Sequence, residues 1–265
     1  MKLKYKNDYS CSERNKIVTI GPEGSGYDVE IPNDVTEITN FNFGECYNLK
    51  TVKLPSSIIR IDDEAFGCCK ALEKIEIPSS VIYIGKRAFN NCHSLENITL
   101  PDSLKKIDEE AFLGCLKLEK ITLPNSMSNI CYGTFGSCWN LKEIELPKSI
   151  KSINESAFAS CTLLKKVNLP SSIVQFGGYI FEFCNLNEIT INSNCLLSPS
   201  LLYHCPHLEK IYITQKSYDL SPDFVKEYKD KIEIIKVKTL DDLLDEGKSL
   251  REASRIIKES NEMTK

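Results

Sequence analysis

Residues 46–68 read CYNLKTVKLPSSIIRIDDEAFGC, and Cys69 then opens a second segment of the same pattern. The pattern returns every 23 residues, and its cysteine, proline and phenylalanine positions scarcely vary. Each of these residue types occurs seven times on this period: Cys46, Cys69, Cys92, Cys115, Cys138, Cys161 and Cys184; Pro32, Pro55, Pro78, Pro101, Pro124, Pro147 and Pro170; and Phe43, Phe66, Phe89, Phe112, Phe135, Phe158 and Phe181. A fixed period of this length is typical of a solenoid, in which each repeat is one supersecondary unit stacked on its neighbours.

Each repeat contains a short strand that ends at the proline. Residues 72–77, LEKIEI, recur as residues 95–100, LENITL. Their alternation of apolar and polar positions predicts a strand with one inward face. Identical strands in successive repeats are expected to pair in parallel, about 4.8 Å apart. Proline closes each strand because it cannot donate to a strand ladder.

The remainder of each repeat is rich in turn residues. A serine stands two residues after the proline in six repeats: Ser57, Ser80, Ser103, Ser126, Ser149 and Ser172. These hydroxyls are expected to bond backbone groups that the bend leaves unpaired. The positions of Asp62 and Gly85 favour a left-handed backbone. Residues 109–112, EEAF, predict a single helical turn with its phenylalanine buried.

These features together resemble the BspA-like branch of the leucine-rich-repeat family. The resemblance depends on the Leu-x-x-Ile-x-Leu core, the Pro-x-Ser turn and the Ala-Phe pair, and it covers residues 32–214. It implies an α/β, mostly β fold: a leucine-rich-repeat solenoid with a parallel strand ladder. In leucine-rich repeats this ladder lines the concave side and commonly carries ligand contacts. The array departs from its pattern near Cys205, and Asn192 replaces the proline, as is expected where terminal repeats cap the array.

We predict three parts along the chain. They are an N-terminal cap in residues 1–31, the solenoid in residues 32–216, and a C-terminal cap with an amphipathic helical tail in residues 217–265. The N-terminal cap is expected to be hairpin-like, around the glycine-rich residues 21–26. A phosphate-binding loop is disfavoured there because no Gly-Lys-Ser/Thr follows.

The C-terminal part contains signals for helices and for one last strand. Residues 221–228 predict a helix with proline in its first turn, and residues 232–237 predict a strand against the final repeat. Two further helices are predicted in residues 239–247 and 249–259. The last of them has one apolar face, so it caps the solenoid, stays loose or docks a partner. No recognition helix follows it, which disfavours DNA binding.

Twelve cysteines in a small secreted protein would indicate disulfides. Here the periodic cysteines are expected to run parallel into the core rather than toward each other. We therefore predict free, buried thiols that pack as small apolar groups, with Cys11, Cys68, Cys131 and Cys195 off the ladder. Thiols in this number fit a reducing compartment, and residues 1–16 have no apolar run typical of a secretory signal. We expect a cytoplasmic protein. The alternative is a cell-surface or secreted protein exported without a visible signal.

Composition and motifs disfavour catalysis, cofactors, metals and nucleic acid. The net charge is −4 with both signs interspersed, whereas nucleic acid or an anionic membrane would favour a basic stripe. No segment approaches the roughly 18 apolar residues of a membrane span. Residues 204–207, HCPH, with Cys195 come nearest to a zinc pattern, but no Cys-x-x-Cys pair accompanies them. The periodic thiols lack the base that a nucleophile needs, so we expect no catalytic residue.

Binding by outward side chains is the function that remains. The residues flanking the central apolar residue of each strand are polar and mixed in sign. We predict eight of them as partner-binding residues: Lys53, Lys74, Glu76, Thr99, Thr122, Glu143, Glu145 and Asn168. Because interface anchors are typically aromatic or arginine, Tyr83, Tyr132 and Trp139 at other positions are alternative anchors, and a solvated face without a partner is also open.

The favoured function is a noncatalytic, monomeric module that binds a protein or an extended peptide. One alternative is a surface adhesin of the BspA-like kind. Another is a repeat-domain subunit that serves a separate enzymatic or DNA-binding protein.

Overall fold

A computed structural model describes residues 18–20, 27–235, 255 and 258. The predicted fold is confirmed: the chain is mostly β, and parallel strands of successive repeats form a solenoid. The strands in chain order are β1 (Val18–Ile20), β2 (Tyr27–Glu30), β3 (Glu37–Ile38), β4 (Leu49–Lys53), β5 (Arg60–Ile61), β6 (Lys74–Glu76), β7 (Tyr83–Ile84), β8 (Asn97–Thr99), β9 (Lys106–Ile107), β10 (Lys120–Thr122), β11 (Asn129–Ile130), β12 (Glu143–Glu145), β13 (Ser152–Ile153), β14 (Lys166–Leu169), β15 (Gln175–Phe176), β16 (Glu188–Ile191), β17 (Lys210–Ile213) and β18 (Ile232–Ile234). The helices are α1 (Gln215–Leu220) and α2 (Pro222–Tyr228), with 3-10 helices at Pro199–Leu202 and Lys229–Lys231.

Two ladders of strands run along the solenoid. The first ladder is a seven-stranded sheet in the order β1-β2-β4-β6-β8-β10-β12, followed by a four-stranded sheet in the order β14-β16-β17-β18. Within it β1 is antiparallel to β2, and the other strand pairs are parallel. The second ladder lies after the prolines and comprises the sheets β3-β5-β7-β9 and β11-β13-β15. The predicted strand pairing and the N-terminal hairpin are thus present, although both ladders are interrupted once.

The phenylalanines form one continuous stack through the core. Seven rings from Phe43 to Phe181 lie face to face, with neighbouring centroids 5.1 to 5.7 Å apart. All seven are fully buried. Stacked rings of this kind remove a large apolar area from water and fix the spacing of the repeats.

The periodic cysteines are free thiols, as predicted, and those from Cys69 onward bond the preceding repeat. The sulfur of Cys69 donates to the carbonyl oxygen of Phe43 at 3.0 Å. Cys92, Cys115, Cys138, Cys161, Cys184 and Cys205 do the same to Phe66, Phe89, Phe112, Phe135, Phe158 and Phe181. All eleven cysteines of the described chain are free. The thiol is a second donor to this carbonyl, which also accepts from a backbone nitrogen in its own turn; the Phe43 carbonyl, for example, accepts from the Cys46 nitrogen at 3.1 Å.

The turns differ from the prediction in two ways. Residues 109–112 form turns and not a helical turn, since Glu110 has a φ of 55°. The left-handed residues are not those of the Asp62 position but those two places later, such as Glu64. Gly85 is required for a different reason: a Cβ there would lie 2.6 Å from the backbone of Asp62 and Asp63 in the preceding repeat.

Five of the six serines after the prolines bond a carbonyl in the preceding repeat, as predicted. Ser103 Oγ, for example, donates to the carbonyl oxygen of Val81 at 2.7 Å. The exception is Ser149, whose Oγ is buried without a hydrogen-bond partner.

The C-terminal end of the solenoid combines α1, α2 and β18. The predicted helix after Ser221 is present as α2, and β18 pairs in parallel with β17. Helix α1 was not predicted; its N-cap is Thr214, whose hydroxyl accepts from the Ser217 backbone nitrogen. The predicted helices in 239–247 and 249–259 lie outside the described residues, except that Arg255 and Lys258 are helical. The glycine-rich residues 21–26 also lie outside them.

Candidate partner-binding surface

The outward side chains of the first ladder form two columns, which we call the strand face. One column precedes the buried central residue of each strand: Asp28, Thr51, Lys74, Asn97, Lys120, Glu143, Lys166, Glu188 and Lys210. The other column follows it: Glu30, Lys53, Glu76, Thr99, Thr122, Glu145, Asn168, Thr190 and Tyr212. The central residues, such as Ile75 and Ile121, are buried. This alternation follows from the two-residue period of a strand.

All eight predicted residues are exposed on this face. Seven lie in the seven-stranded sheet, on β4, β6, β8, β10 and β12. The eighth, Asn168, lies on β14 in the next sheet, beyond the point where strand pairing stops. The structure thus brings seven of the residues onto one continuous sheet and separates Asn168 from them by a break in backbone pairing.

Most charges on the strand face are paired with each other across neighbouring repeats. The ion pairs are Lys53–Glu30 at 2.8 Å, Lys120–Glu143 at 3.7 Å, Lys120–Glu145 at 4.0 Å, Lys166–Glu188 at 2.9 Å and Lys210–Glu233 at 2.8 Å. The hydrogen bond that Lys53 donates to Glu30 raises the pKa of Lys53. Because these groups are exposed to solvent, such pairs contribute little to the stability of the fold. Their main effect is to neutralise Lys53, Glu143 and Glu145 within the chain.

Seven strand-face residues have no such partner in the described chain: Asn168 and Thr190 beyond the break in strand pairing, and five residues in the seven-stranded sheet. The side chains of Lys74, Glu76, Asn97, Thr99 and Thr122 make no hydrogen bond or ion pair with any residue of the described chain. We call these five the central patch. They lie on adjacent strands, with Lys74 opposite Asn97 and Glu76 opposite Thr99. Within the described chain their polar groups have no competing partner, so a binding partner can take the place of solvent there.

Asn97 belongs to the central patch although the sequence prediction omitted it. A signal for it was available in the sequence. Residues 23 positions apart are neighbours in adjacent repeats, and Lys53 and Glu30 pair at this separation. The neighbours of Lys74 at the same separation are Thr51 and Asn97, neither of which is charged. Comparing charges 23 residues apart would have shown that Lys74 has no acidic neighbour, although it would also have paired Glu76 with Lys53, which the structure does not do.

Of the alternative anchors, Tyr83 is engaged within the chain. The guanidinium of Arg60 lies over its ring, 4.3 Å from the centroid, and its hydroxyl donates to Asp108 Oδ2 at 3.1 Å. Burial, and then the hydrogen bond to Asp108, raise the pKa of Tyr83 to about 12. Tyr132 and Trp139 are 41% and 51% exposed and so remain available.

The buried thiols are poorly suited to chemistry. Burial raises the pKa of Cys115 to about 12 and that of Cys138 well above its ordinary value. At neutral pH these sulfurs are thiols and not the thiolates that act as nucleophiles and metal ligands. In the sequence HCPH the Cys205 thiol bonds the Phe181 carbonyl, while His204 stacks on Phe183 at the surface. The described residues contain no group of three or more His, Cys, Asp or Glu placed to hold a metal ion.

The repeat pattern matches a known family. A model of the BspA type leucine rich repeat region matches residues 25–142 and 128–243, in six copies. The chain belongs to the BspA-type leucine-rich-repeat family. The two matches together extend over both interruptions of the strand ladders. No curated protein matches the sequence.

Solved structures similar to this BspA-type protein come from bacteria. A leucine-rich repeat protein from Bacteroides ovatus is 28% identical, covers 74% of this chain and 69% of its own, and has a TM-score of 0.47. A leucine rich cell surface protein from Faecalibacterium prausnitzii is 20% identical, covers 82% and 72%, and has a TM-score of 0.55. The leucine-rich repeat protein of T. pallidum is 26% identical, covers 72% and 87%, and has a TM-score of 0.49. At 20% identity, the similarity to the Faecalibacterium prausnitzii protein concerns the fold alone.

Within the part of the chain that the structure describes, no helix is both long enough and apolar enough to cross a bilayer.

Proposed function

We propose that this protein is a noncatalytic interaction module that presents its strand face to a protein or an extended peptide. Proteins of its family generally serve as surface or interaction modules and are usually not enzymes. The eight predicted residues lie on this face, and we expect the central patch to make the main contacts with the partner. We further propose that the module is monomeric.

The central patch is the observation that carries the proposal. Elsewhere on the strand face, charged groups are bonded to their neighbours, and a partner would have to break those pairs. Lys74, Glu76, Asn97, Thr99 and Thr122 offer free donors and acceptors on three adjacent strands. Exchange of their bound water for partner groups involves no loss of intramolecular bonds.

The size of the strand face fits a protein partner. Seven repeats at about 4.8 Å give a surface of about 30 Å in length. A specific complex typically buries about 800 Å² on each partner, and a surface of this length and two columns can supply that area.

Capture from native lysate with paired variants tests the proposal. The central-patch variant carries Lys74→Glu, Thr99→Lys and Thr122→Lys. The control carries the same net change of charge at exposed positions away from the strand face: Lys105→Glu, Val174→Lys and Gln175→Lys. We expect a partner of the unmodified protein to be lost by the first variant and kept by the second, with equal melting temperatures. A partner that both variants retain would contradict the strand-face assignment.

The location of the protein is a second proposal. We infer a cytoplasmic protein, because eleven free cysteines fit a reducing compartment. The favoured alternative is the cell surface, which is supported by the cell surface protein among its structural relatives. Fractionation of native cells with a specific antibody separates the two. Recovery in the surface fraction would overturn the cytoplasmic assignment.

A further inference from the structure

Four exposed aromatic side chains are in contact on the turn side of the last repeats. They are Tyr179, Phe183, Tyr203 and His204, and we call them the aromatic cluster. Tyr203 lies edge-on to Tyr179, with centroids 5.7 Å apart, and edge-on to His204 at 4.1 Å. Phe183 stacks on His204 at 5.0 Å. Tyr179, Phe183 and Tyr203 are 40%, 52% and 47% exposed, so the rings do not belong to the core.

Three of these residues stand where the backbone disfavours a bulky side chain. Tyr179, Phe183 and His204 have φ angles of 55°, 56° and 52°, in the left-handed region. Earlier repeats fill the same positions with other residues: Glu64, Arg87, Glu110, Gly133 and Ser156 before the core phenylalanine, and Cys68, Asn91, Gly114, Ser137 and Ser160 before the cysteine. Neither burial nor backbone conformation therefore accounts for aromatic residues here, and strain that persists without a packing reason often marks a functional surface.

A carboxylate adjoins the cluster in the sequence, and no cation of the described chain pairs with it. Glu182 directly precedes Phe183 and occupies the same position in its repeat as Tyr203 in the next. It is half-buried, yet its side chain forms no ion pair or hydrogen bond with any described residue. Residues 167–209 contain no lysine or arginine at all. In an earlier repeat, by contrast, Glu110 at the turn is paired with Arg87.

We propose that the aromatic cluster and Glu182 bind a cationic side chain of a basic peptide segment, with arginine preferred. Aromatic faces attract cations, and Tyr203 stands nearly perpendicular to its two neighbours, so the rings present faces in more than one direction. A guanidinium is planar, stacks on aromatic rings and bonds a carboxylate through two donors. The unpaired Glu182 supplies that carboxylate.

This site lies on the turn side of the solenoid and not on the strand face. Tyr179 and Phe183 lie in the turn before β16, and Tyr203 and His204 lie between β16 and β17. The proposal is therefore independent of the proposed function, and either can fail without the other.

Calorimetric titration of the full chain tests it, with a capped peptide of alternating glycine and arginine as probe. The control probe has citrulline in place of arginine, which keeps the shape and removes the charge. We expect the arginine peptide to bind about tenfold or more tightly than the citrulline peptide. We expect Glu182→Gln to weaken its binding about fivefold or more.

Variants of the rings complete the test. Tyr179→Ser with Phe183→Ser introduces the residue type of the preceding repeat, where Ser156 and Ser160 stand, so the fold should persist. We expect this pair of changes to weaken arginine-peptide binding about tenfold or more. Trp139→Thr is the matched control, since Thr162 follows at that position in the next repeat, and it should leave binding unchanged.

Four results would overturn the proposal. They are no binding of the arginine peptide at about millimolar concentration, equal binding of both peptides, unchanged affinity in the serine variant with a normal melting temperature, or a dimer that the serine variant converts to monomer. A rise in affinity after Arg251, Arg255 and Lys258 are replaced by glutamine would also overturn it. In that case the chain's own tail, and not a partner, occupies the cluster.

Discussion

Removal of one ring from the phenylalanine stack tests the packing of the solenoid most directly. Phe112 is fully buried between Phe89, 5.3 Å away, and Phe135, 5.7 Å away, with interplanar angles of 4° and 9°. Phe112→Ala leaves a cavity between two repeats and costs about 3–5 kcal/mol of unfolding free energy. Loss of two ring contacts favours the upper part of that range. The backbone carbonyl that accepts from Cys138 is retained.

Equilibrium urea unfolding with reductant measures this loss, and hydrogen exchange locates it. In a repeat protein each unit contacts only its neighbours, so protection should fall first in the repeats of Phe89, Phe112 and Phe135. Glu109→Ala is the control. Glu109 is half-exposed and pairs with Lys86 at 2.8 Å, so its loss should cost about 1 kcal/mol or less. Equal destabilisation by the two changes would refute the assignment of the stack as the main source of stability.

Three further predictions concern the thiols and the serines. Under native conditions an alkylating reagent should modify the half-buried Cys68 and Cys195 before the ladder cysteines. After denaturation without reductant every cysteine should react. Mass spectra that show several disulfides would contradict this prediction. Alkali should destabilise the fold. Burial holds the pKa of Cys115 at about 12, whereas an unfolded thiol titrates near 8.5. Because the unfolded state loses its proton first, the free energy of unfolding should fall between about pH 8.5 and 12, by about 1.4 kcal/mol per pH unit for each such group. The melting temperature of Cys115→Ala should decline less steeply with rising pH than that of the unmodified protein. Identical slopes would contradict the role of the Cys115 thiol. Ser103→Ala should cost about 1 kcal/mol because it leaves the Val81 carbonyl without its donor, whereas Ser149→Ala, which removes no bond, should be neutral or stabilising in the same urea assay.

The period of the sequence predicted the parts of the fold that repeat. Strand register, the buried phenylalanines and the free cysteines all follow from residues that recur at one spacing, because equal positions in a stack of repeats must be neighbours. The same reasoning did not predict the partner of each thiol. The hydrogen bond from Cys69 to Phe43 spans 26 residues and not 23, so it depends on how the turn places the carbonyl.

The turns were predicted less well because residue type and backbone conformation are only loosely related there. Gly85 suggested a left-handed backbone, but glycine is required there because the backbone of the preceding repeat approaches too closely for a Cβ atom. The left-handed positions instead hold Glu64 and Arg87, residue types that do not indicate such a conformation. Helix α1 begins where the array ends, so no period was available to indicate it.

The central patch and the aromatic cluster show what a repeat pattern conceals. Lys53 and Lys74 look alike in the sequence, yet only Lys53 has an acidic neighbour in the adjoining repeat that pairs with it. Phe183 likewise appears as one more aromatic residue near the core, while in the structure it is half-exposed and follows a glutamate that has no ion-pair partner in the described chain. The residues that distinguish one repeat from another are those that differ from the shared repeat pattern, so the pattern itself does not identify them.

The cysteine-to-carbonyl bonds also bear on how the length of such a protein can change. From Cys69 to Cys184 each bond spans the same 26 residues, so it always joins a repeat to the one before it. Duplication or deletion of one complete 23-residue unit within this region therefore reproduces every bond and every ring contact, and lengthens or shortens the solenoid by about 4.8 Å. A gain or loss of any other number of residues misplaces a thiol and a ring together. Between Cys184 and Cys205 the thiol-to-carbonyl bond spans 24 residues, so insertion of a 23-residue unit there would not reproduce that bond.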